Sequence, residues 1–537
     1  MKPEWMKPKG YLHLTPSLFI HTHWKKYKVK IETPDFIAKY AFYPLIHATI
    51  KERKYKKPDP KKHEGTNRSH SHKRRDNGRI EKSAKERPLH YSSHFDALIY
   101  AYYASVLNDK YENELKKDID LDNAVIAYRK IKIEGAGDKG KSTIHFAKEV
   151  FDEIRNRATA QNEIGVLAFD IKSFFSSLNH TFLKKKWIEL VGQDEFAKHH
   201  FNVFKACTQF NYILLNDLRH RQKRNSFEES KLAKIRRENG HRCFFESNAD
   251  FRQAIKGGSL RIYKNPFFAK TQNGKVNVGI PQGLPLSAVL ANLYLIDFDK
   301  RIVDTFVKGE KCFYRRYSDD LILICEVDQM ARVNHAIDAM IRDFGLEISK
   351  HKTEKFIFSY NSFNDTDAVR LSCTKVMSEE DVKRNSHMTY LGFEFRGYNT
   401  TIKSTNLSKY YRRIISIVKR RAKRAYLAKK KDPSVPLAIY INQIKKLINK
   451  PIKIKDSDKT ETKQFMRGGY NLVPKENGTF KVVKFERIGK PKNSNYYSYV
   501  QRCSNIFNDK IFLKQIRKRK KITYKAIKRH LDKYKLR

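Results

Sequence analysis

The run FYRRYSDDLILIC, residues 313–325, constrains this chain more than any other segment, because two adjacent carboxylates interrupt two strand-like stretches. The aromatic and β-branched residues on either side favour strands, so Asp319 and Asp320 are left to a tight turn between them. Charged side chains pinned beside apolar strands are costly unless a cation or a hydrogen-bond donor compensates them. A second compact apolar run, IGVLAFDI at 164–171, reads as a buried strand that ends on Asp170. If the two strands are neighbours, Asp170 and Asp319 converge at their ends and can share divalent cations. Mg²⁺ suits such a place, being a hard ion that takes carboxylate oxygen and keeps phosphate and water as its other ligands. Paired metals clamping an attacking and a leaving oxygen are a common route to phosphoryl transfer.

An Asp-Asp pair alone is often an ordinary acidic turn, but this pair has company. Between the two carboxylate sites lies VGIPQGLPLSAVLANLYL, residues 278–295, in which Pro281-Gln282-Gly283 opens a helix. A glycine there permits close approach of a substrate's backbone or base.

Taken in order, these segments resemble the core motifs of reverse transcriptases, especially the bacterial non-LTR-like branch. FDIKSFFSSLNH (169–180) resembles the first catalytic motif, PQGLPLSAVLANLYL (281–295) the template- and nucleotide-positioning motif, and YSDD (317–320) the Tyr-x-Asp-Asp signature. ISKHKTEKF (348–356) resembles the lysine-bearing fourth motif, and YLGFEF (390–395) the short primer-grip hairpin. The resemblance implies an α+β right-hand polymerase with fingers, an antiparallel-sheet palm, a helical thumb and a basic, largely helical C-terminal extension. It implies an RNA-directed DNA polymerase that takes deoxynucleotides, an RNA template and two Mg²⁺ ions, with Mn²⁺ as a substitute. Asp170 and Asp319 would be metal ligands, joined by the Ile171 carbonyl, with Asp320 supporting the site. Phe175 falls where the family keeps a steric gate against a ribose 2′-OH. Gln282 and Gly283 would line the nucleotide pocket, and Lys352 would neutralise or protonate the leaving pyrophosphate. Tyr390, Leu391 and Gly392 would grip the primer. In AYRKIKIEGAGDKGKS (127–142), Arg129 and Lys130, with Lys139 and Lys141, are candidate triphosphate or template contacts.

Charge points the same way. The 537 residues carry 111 Lys+Arg against 58 Asp+Glu, a formal net charge of +53, and self-repulsion on that scale calls for a polyanionic partner. With 40% hydrophobic and 12% aromatic residues the chain is no disordered basic tail. Residues 401–537 alone hold 40 Lys/Arg and 8 Asp/Glu. No long apolar run or apolar leader is present, so the expectation is a cytoplasmic protein with no membrane association. Six scattered cysteines with no C-x-x-C pair read as reduced thiols, neither zinc ribbon nor disulfide framework. Histidines such as His63, His70, His72 and His90 lack carboxylates or cysteines at ligand spacing.

The expected divisions are an N-terminal segment (1–50), a basic mobile insertion (51–90), fingers (91–165), and a palm (166–385) with a basic insertion at about 214–275. The primer-grip hairpin, thumb and basic C-terminal region follow (386–537). Helices are expected at HFDALIYAYYASVLNDKYENEL, at TIHFAKEVFDEIRNRA, after a cap at Ser176 or Ser177, across LSAVLANLYLIDFDKRIVDTF, and over much of the C-terminal region. No endonuclease signature follows YLGFEF, which fits a stand-alone enzyme of the abortive-infection or defence-associated groups, acting in antiviral (phage) defence with a dedicated non-coding RNA. Such an enzyme would bind its RNA–DNA duplex product, and a homo-oligomer is compatible with the sequence. The competing readings are an untemplated or protein-primed nucleotidyl transferase on the same palm, with Tyr496, Tyr497 or Tyr499 as the priming hydroxyl, and a non-catalytic RNA-binding protein.

Overall fold

A computed structural model of the chain describes all residues except 17, 54–71, 75–79, 83, 193–194, 219–242, 246, 272–273, 364–365, 379, 435–438, 451–464, 475–479, 490–493 and 535–537. Strands β1 (Leu45–Arg53) and β2 (Ala84–Tyr91) pair antiparallel, and the short strands β4 (Asn211–Leu214) and β5 (Tyr263–Lys264) extend them into a four-stranded sheet of order β2-β1-β4-β5. The ends of the 51–90 stretch are therefore strands continuous with the fold, while most of that expected insertion lies outside the described residues. Of the expected insertion at 214–275, residues 219–242 are not described, and the remainder includes a helix at Asn248–Lys256 and the strand β5.

The central element is a six-stranded antiparallel sheet. It comprises β3 (Ile164–Asp170), β6 (Phe313–Tyr317), β7 (Asp320–Glu326), β8 (Glu354–Phe363), β9 (Thr366–Val376) and β10 (Val382–Lys383), in the order β6-β7-β3-β8-β9-β10. Side chains alternate across a strand, and here both faces are covered. Leu167, Phe169, Leu321 and Leu323 enter one core, whereas Ile164, Val166, Ile322 and Ile324 enter another. That double burial explains why β3 and β7 read as continuous apolar runs and show no polar alternation.

Helix α1 (His94–Leu115) covers the first core and spans the residues its apolar spacing predicts; the Ser93 side chain caps it by accepting from the Asp96 N–H at 3.2 Å. After α2 (Ile119–Ala124), helix α3 (Thr143–Arg157) covers the second core with Ile144, Ala147, Val150, Phe151 and Ile154, a stripe at helical spacing. Ser176 and Ser177 do not cap the next long helix. Both lie inside a one-turn helix, α4 (Phe174–Ser177), and donate to the Ser173 carbonyl at 2.8 and 3.1 Å. Asn179 caps α5 (His180–Val191) instead, accepting from the Phe182 N–H at 3.0 Å.

The expected helix across 286–306 is broken. It divides into α6 (Ser287–Tyr294), α7 (Ile296–Ile302) and a π-helical turn at Val303–Lys308. A small antiparallel sheet follows the palm: β11 (Met388–Tyr390), β12 (Phe393–Phe395) and β13 (Thr400–Ile402). From it springs α8 (Ser404–Lys431), which buries Tyr410, Ile414, Val418, Ala422 and Ala425 along one stripe. Helices α9 (Tyr496–Phe507), α10 (Ile511–Gln515) and α11 (Arg519–Lys533) complete the C-terminal region. Between α8 and α9 the chain also forms an antiparallel strand pair, Phe465–Pro474 with Phe480–Gly489, within a region expected to be largely helical. No helix among the described residues is long and apolar enough to cross a membrane, and all six cysteines are free and buried.

Candidate active site

The β6–β7 hairpin closes with Tyr317 opposite Asp320, so Ser318 and Asp319 form a two-residue loop. Such loops match strand twist when the first loop residue has positive φ, and Ser318 has φ 61°. β7 lies against β3 in a register that sets Asp320 opposite Asp170. The Ile171 N–H donates to the Asp319 carbonyl at 3.0 Å, stitching the end of β3 to the loop. Asp170, Asp319 and Asp320 are thus brought together, as the sequence predicts.

Burial raises the Asp319 carboxyl above the ordinary carboxylate range, and the negative charge of Asp170 adds to the effect. Asp320 is pushed up to about 6, by desolvation first and then by Asp319 and Asp170. One cation answers this excess directly. The Lys352 ammonium donates to both oxygens of Asp170, at 2.9 Å to Oδ2. A backbone relay places it there: the Ser349 N–H donates to the Asp170 carbonyl and the Lys352 N–H to the Ser349 carbonyl, each at 2.8 Å. A second lysine, Lys403, sits where β13 turns into α8; its N–H donates to the Gly392 carbonyl at 3.0 Å, and its charge partly offsets the rise at Asp320.

These residues fit a divalent cation. Two or three hard carboxylates repel one another at the end of a rigid sheet, and a cation would relieve them. Among the described residues no group of three His, Cys, Asp or Glu forms a ready-made metal cage. Mg²⁺ characteristically binds through one or two carboxylates and completes its shell with phosphate and water.

Below the loop lies a fully buried ion pair that sequence reading did not single out. Arg316 and Asp299 have no exposed side-chain surface. The guanidinium donates to Asp299 through Nε at 2.8 Å and through Nη2 at 2.6 Å, to Asn292 at 3.1 Å and to the Ser318 carbonyl at 3.3 Å. Tyr314 adds a hydroxyl to Asp299 at 2.8 Å, and Asn292 donates onward to the Ala127 carbonyl at 2.9 Å. The i, i+2 spacing of Tyr314 and Arg316, on the face of the strand that turns inward, was the available signal.

The Pro281-Gln282-Gly283 turn is exposed at Gln282 and Gly283 and held from behind by β2, whose His90 N–H donates to the Gln282 carbonyl at 2.8 Å. Gly283 has φ 123°, and a Cβ there would lie 2.4 Å from the His90 carbonyl oxygen, so only glycine fits. Phe175, half-buried on α4, is tied to the same segment, its carbonyl accepting from the Ile280 N–H at 2.8 Å. Tyr390 is buried in the second core, and Leu391 (φ 43°) and Gly392 (φ 91°) form a tight loop between β11 and β12.

Two of the expected contacts have partners elsewhere in the fold. Arg129 points inward with 3% of its side chain exposed, donating to Glu112, to Asp122 and to the Asp122 and Val125 carbonyls. Its guanidinium donors are thus engaged within the fold. Lys130 is exposed and paired with Glu4. Sequence reading passed over their neighbour Tyr128, whose hydroxyl lies 3.2 Å from Ser318 Oγ. The C-terminal tyrosines pack: Tyr496 stacks on Tyr410 with centroids 4.0 Å apart, and the Arg519 guanidinium lies over Tyr497 at 4.6 Å.

Residues 245–395, which include Gln282, Gly283, Asp319, Asp320, Lys352 and the Tyr390–Gly392 loop, match the family described as reverse transcriptase (RNA-dependent DNA polymerase). Among solved structures, an apo telomerase of Candida Tropicalis truncated from its C-terminal domain is similar at TM-score 0.35 and 10% identity, over 60% of this chain and 53% of that one. Telomerase of Candida albicans in complex with a TWJ fragment of telomeric RNA is similar at TM-score 0.33 and 13% identity, over 72% of this chain and 49% of that one. The chain thus spans about half the length of these structures. With its α+β palm and the residues matched across it, the chain carries a reverse transcriptase domain, the catalytic unit of RNA-directed DNA polymerases, which are nucleotidyltransferases that in general use divalent metal ions.

Proposed function

We propose that the whole chain acts as an RNA-directed DNA polymerase, extending a 3′-OH with deoxynucleotides along an RNA template. The observation that carries this reading is the convergence of Asp170, Asp319 and Asp320 at the ends of two paired strands. In the proposal, Asp170, Asp319 and the Ile171 carbonyl hold two Mg²⁺ ions, for which Mn²⁺ substitutes, and Asp320 tunes the site. When bound, the ions supply activation of the attacking oxygen and charge stabilisation on the leaving pyrophosphate. The protein's part is placement. The paired strands fix the carboxylates, and Phe175 crowds a 2′-OH. Gln282 and Gly283 present an open turn to the nucleotide, and Lys352 exchanges its bond with Asp170 for the departing phosphates. Tyr390, Leu391 and Gly392 belong to the hairpin proposed to hold the primer strand, and the basic C-terminal helices to the grip on the RNA–DNA duplex.

In this reading 91–165 serve as fingers, 166–385 as palm and 386–537 as primer grip, thumb and basic extension. The packing of Tyr496 and Tyr497 supports a nucleic-acid primer over a protein hydroxyl. We further propose a cytoplasmic enzyme of the bacterial defence-associated type, working with a dedicated non-coding RNA in antiviral defence. Asp319→Asn combined with Asp320→Asn is expected to abolish dNTP incorporation while RNA binding survives. Retained incorporation by that variant would sink the assignment.

A further inference from the structure

Tyr128 occupies a position that neither packing nor backbone preference explains. Its φ is 63°, left-handed for a residue with a bulky side chain and therefore strained. Burial does not repay that cost, because 48% of the residue is exposed. The flanking chain is nonetheless held tightly. The Ile126 N–H donates to the Arg316 carbonyl at 3.1 Å, the Ala127 carbonyl accepts from Asn292 at 2.9 Å, and Arg129 is locked by Glu112 and Asp122. The segment between α2 and Arg129 is thus clamped on both sides of a strained, solvent-facing ring.

That ring is fixed relative to the catalytic loop. The Tyr128 hydroxyl lies 3.2 Å from Ser318 Oγ, one residue before Asp319, and Ser318 is itself left-handed and 4% exposed. Strain held in place beside functional groups is a mark of function, and an exposed aromatic face beside an acidic metal-binding turn is suited to a neutral π surface.

We propose that Tyr128 is a positioning residue whose ring is a stacking platform for the nucleic-acid duplex end delivered to Asp319, its hydroxyl latching the ring to Ser318. The ligand is a base or sugar of the template–primer and not the incoming nucleotide. The inference rests on the polymerase reading above and names a contact that the reading lacks.

The test uses the full chain as wild type, Tyr128→Phe, Tyr128→Ala and Tyr128→Gly. Each is measured for affinity towards a fluorescein-labelled DNA primer annealed to an RNA template, for the KM of dNTP incorporation, and for thermal melting. Glycine relieves the left-handed backbone while deleting the ring, so loss of folding cannot mimic loss of the platform. The expected result is duplex affinity about tenfold or more weaker in the Ala and Gly variants, with the dNTP KM within about twofold of wild type and melting of the Gly variant not lowered. Tyr128→Phe recovers most of the affinity. Wild-type duplex affinity in the Ala and Gly variants overturns the proposal, and so does a change confined to the dNTP KM. Absence of incorporation by the wild-type chain is a failure of the polymerase reading, recorded separately, and the binding arm still decides the platform.

Discussion

Asp320 stands opposite Asp170 on adjacent antiparallel strands, two carboxylates at neighbouring ends of the palm sheet. Like charges opposed across a ladder are destabilising, and Asp320 is raised to about 6 from an ordinary 3.8, by desolvation first and then by Asp319 and Asp170. A raised carboxyl pKa means that the folded state holds the proton more tightly than the unfolded one. The associated stability is fully present below the unfolded value and is lost as pH rises through about 6. Asp320→Asn should therefore gain on wild type over that interval, by about 1 kcal/mol once solvent screening of this exposed position is allowed for. Melting in EDTA across pH 4.5–7.5 checks it. Added Mg²⁺ should stabilise wild type at the upper end and progressively less as pH falls below about 6.

Arg316 and Asp299 are buried together beneath the Ser318 carbonyl. Removing one partner strands the other's charge, so Arg316→Met or Asp299→Leu alone should cost about 3–5 kcal/mol. The double substitution should recover much of that loss in denaturant unfolding, yet leave the Ser318 carbonyl without its guanidinium donor and incorporation impaired. Full activity in the recovered double variant would show the pair to be structural alone.

Gly283→Ala introduces a Cβ at 2.4 Å from a backbone carbonyl, at a φ that side chains avoid. The neighbour is main chain and cannot rotate away, so the turn must shift. The expected outcome is a dNTP KM raised about tenfold or more, because the Gln282 carbonyl is bonded to the same His90 backbone. Steady-state kinetics with a saturating template–primer measures it.

Arg420, Lys423 and Arg424 lie exposed on α8. If this face grips a duplex, neutralising all three to Gln should flatten the log K against log salt slope by about 2–3. An unchanged slope would move the grip elsewhere.

The palm was legible because β3 and β7 are buried on both faces, which leaves an uninterrupted apolar signature, and because their acidic ends have no core to hide in. The convergence of Asp170 and Asp319 followed from that, whereas Lys352 came from the resemblance of 348–356 to a lysine-bearing motif. Other features depend on partners distant in sequence. Arg129 looked like a surface cation, yet Glu112 and Asp122 draw it inward. The break after Tyr294 carried no proline or glycine to announce it, and the Ser318 latch on Tyr128 joins residues 190 apart.

The β13 edge carries a further consequence. Gln515 of α10 meets both backbone groups of Ile402, accepting from its N–H at 2.9 Å and donating to its carbonyl at 3.1 Å, as an added strand would. A side-chain amide has thereby sealed the open margin of the little sheet from which α8 departs. The seam ties α10 to the strand from which α8 departs, so Gln515→Leu would strip both backbone groups of Ile402 of these partners and loosen the two helices together.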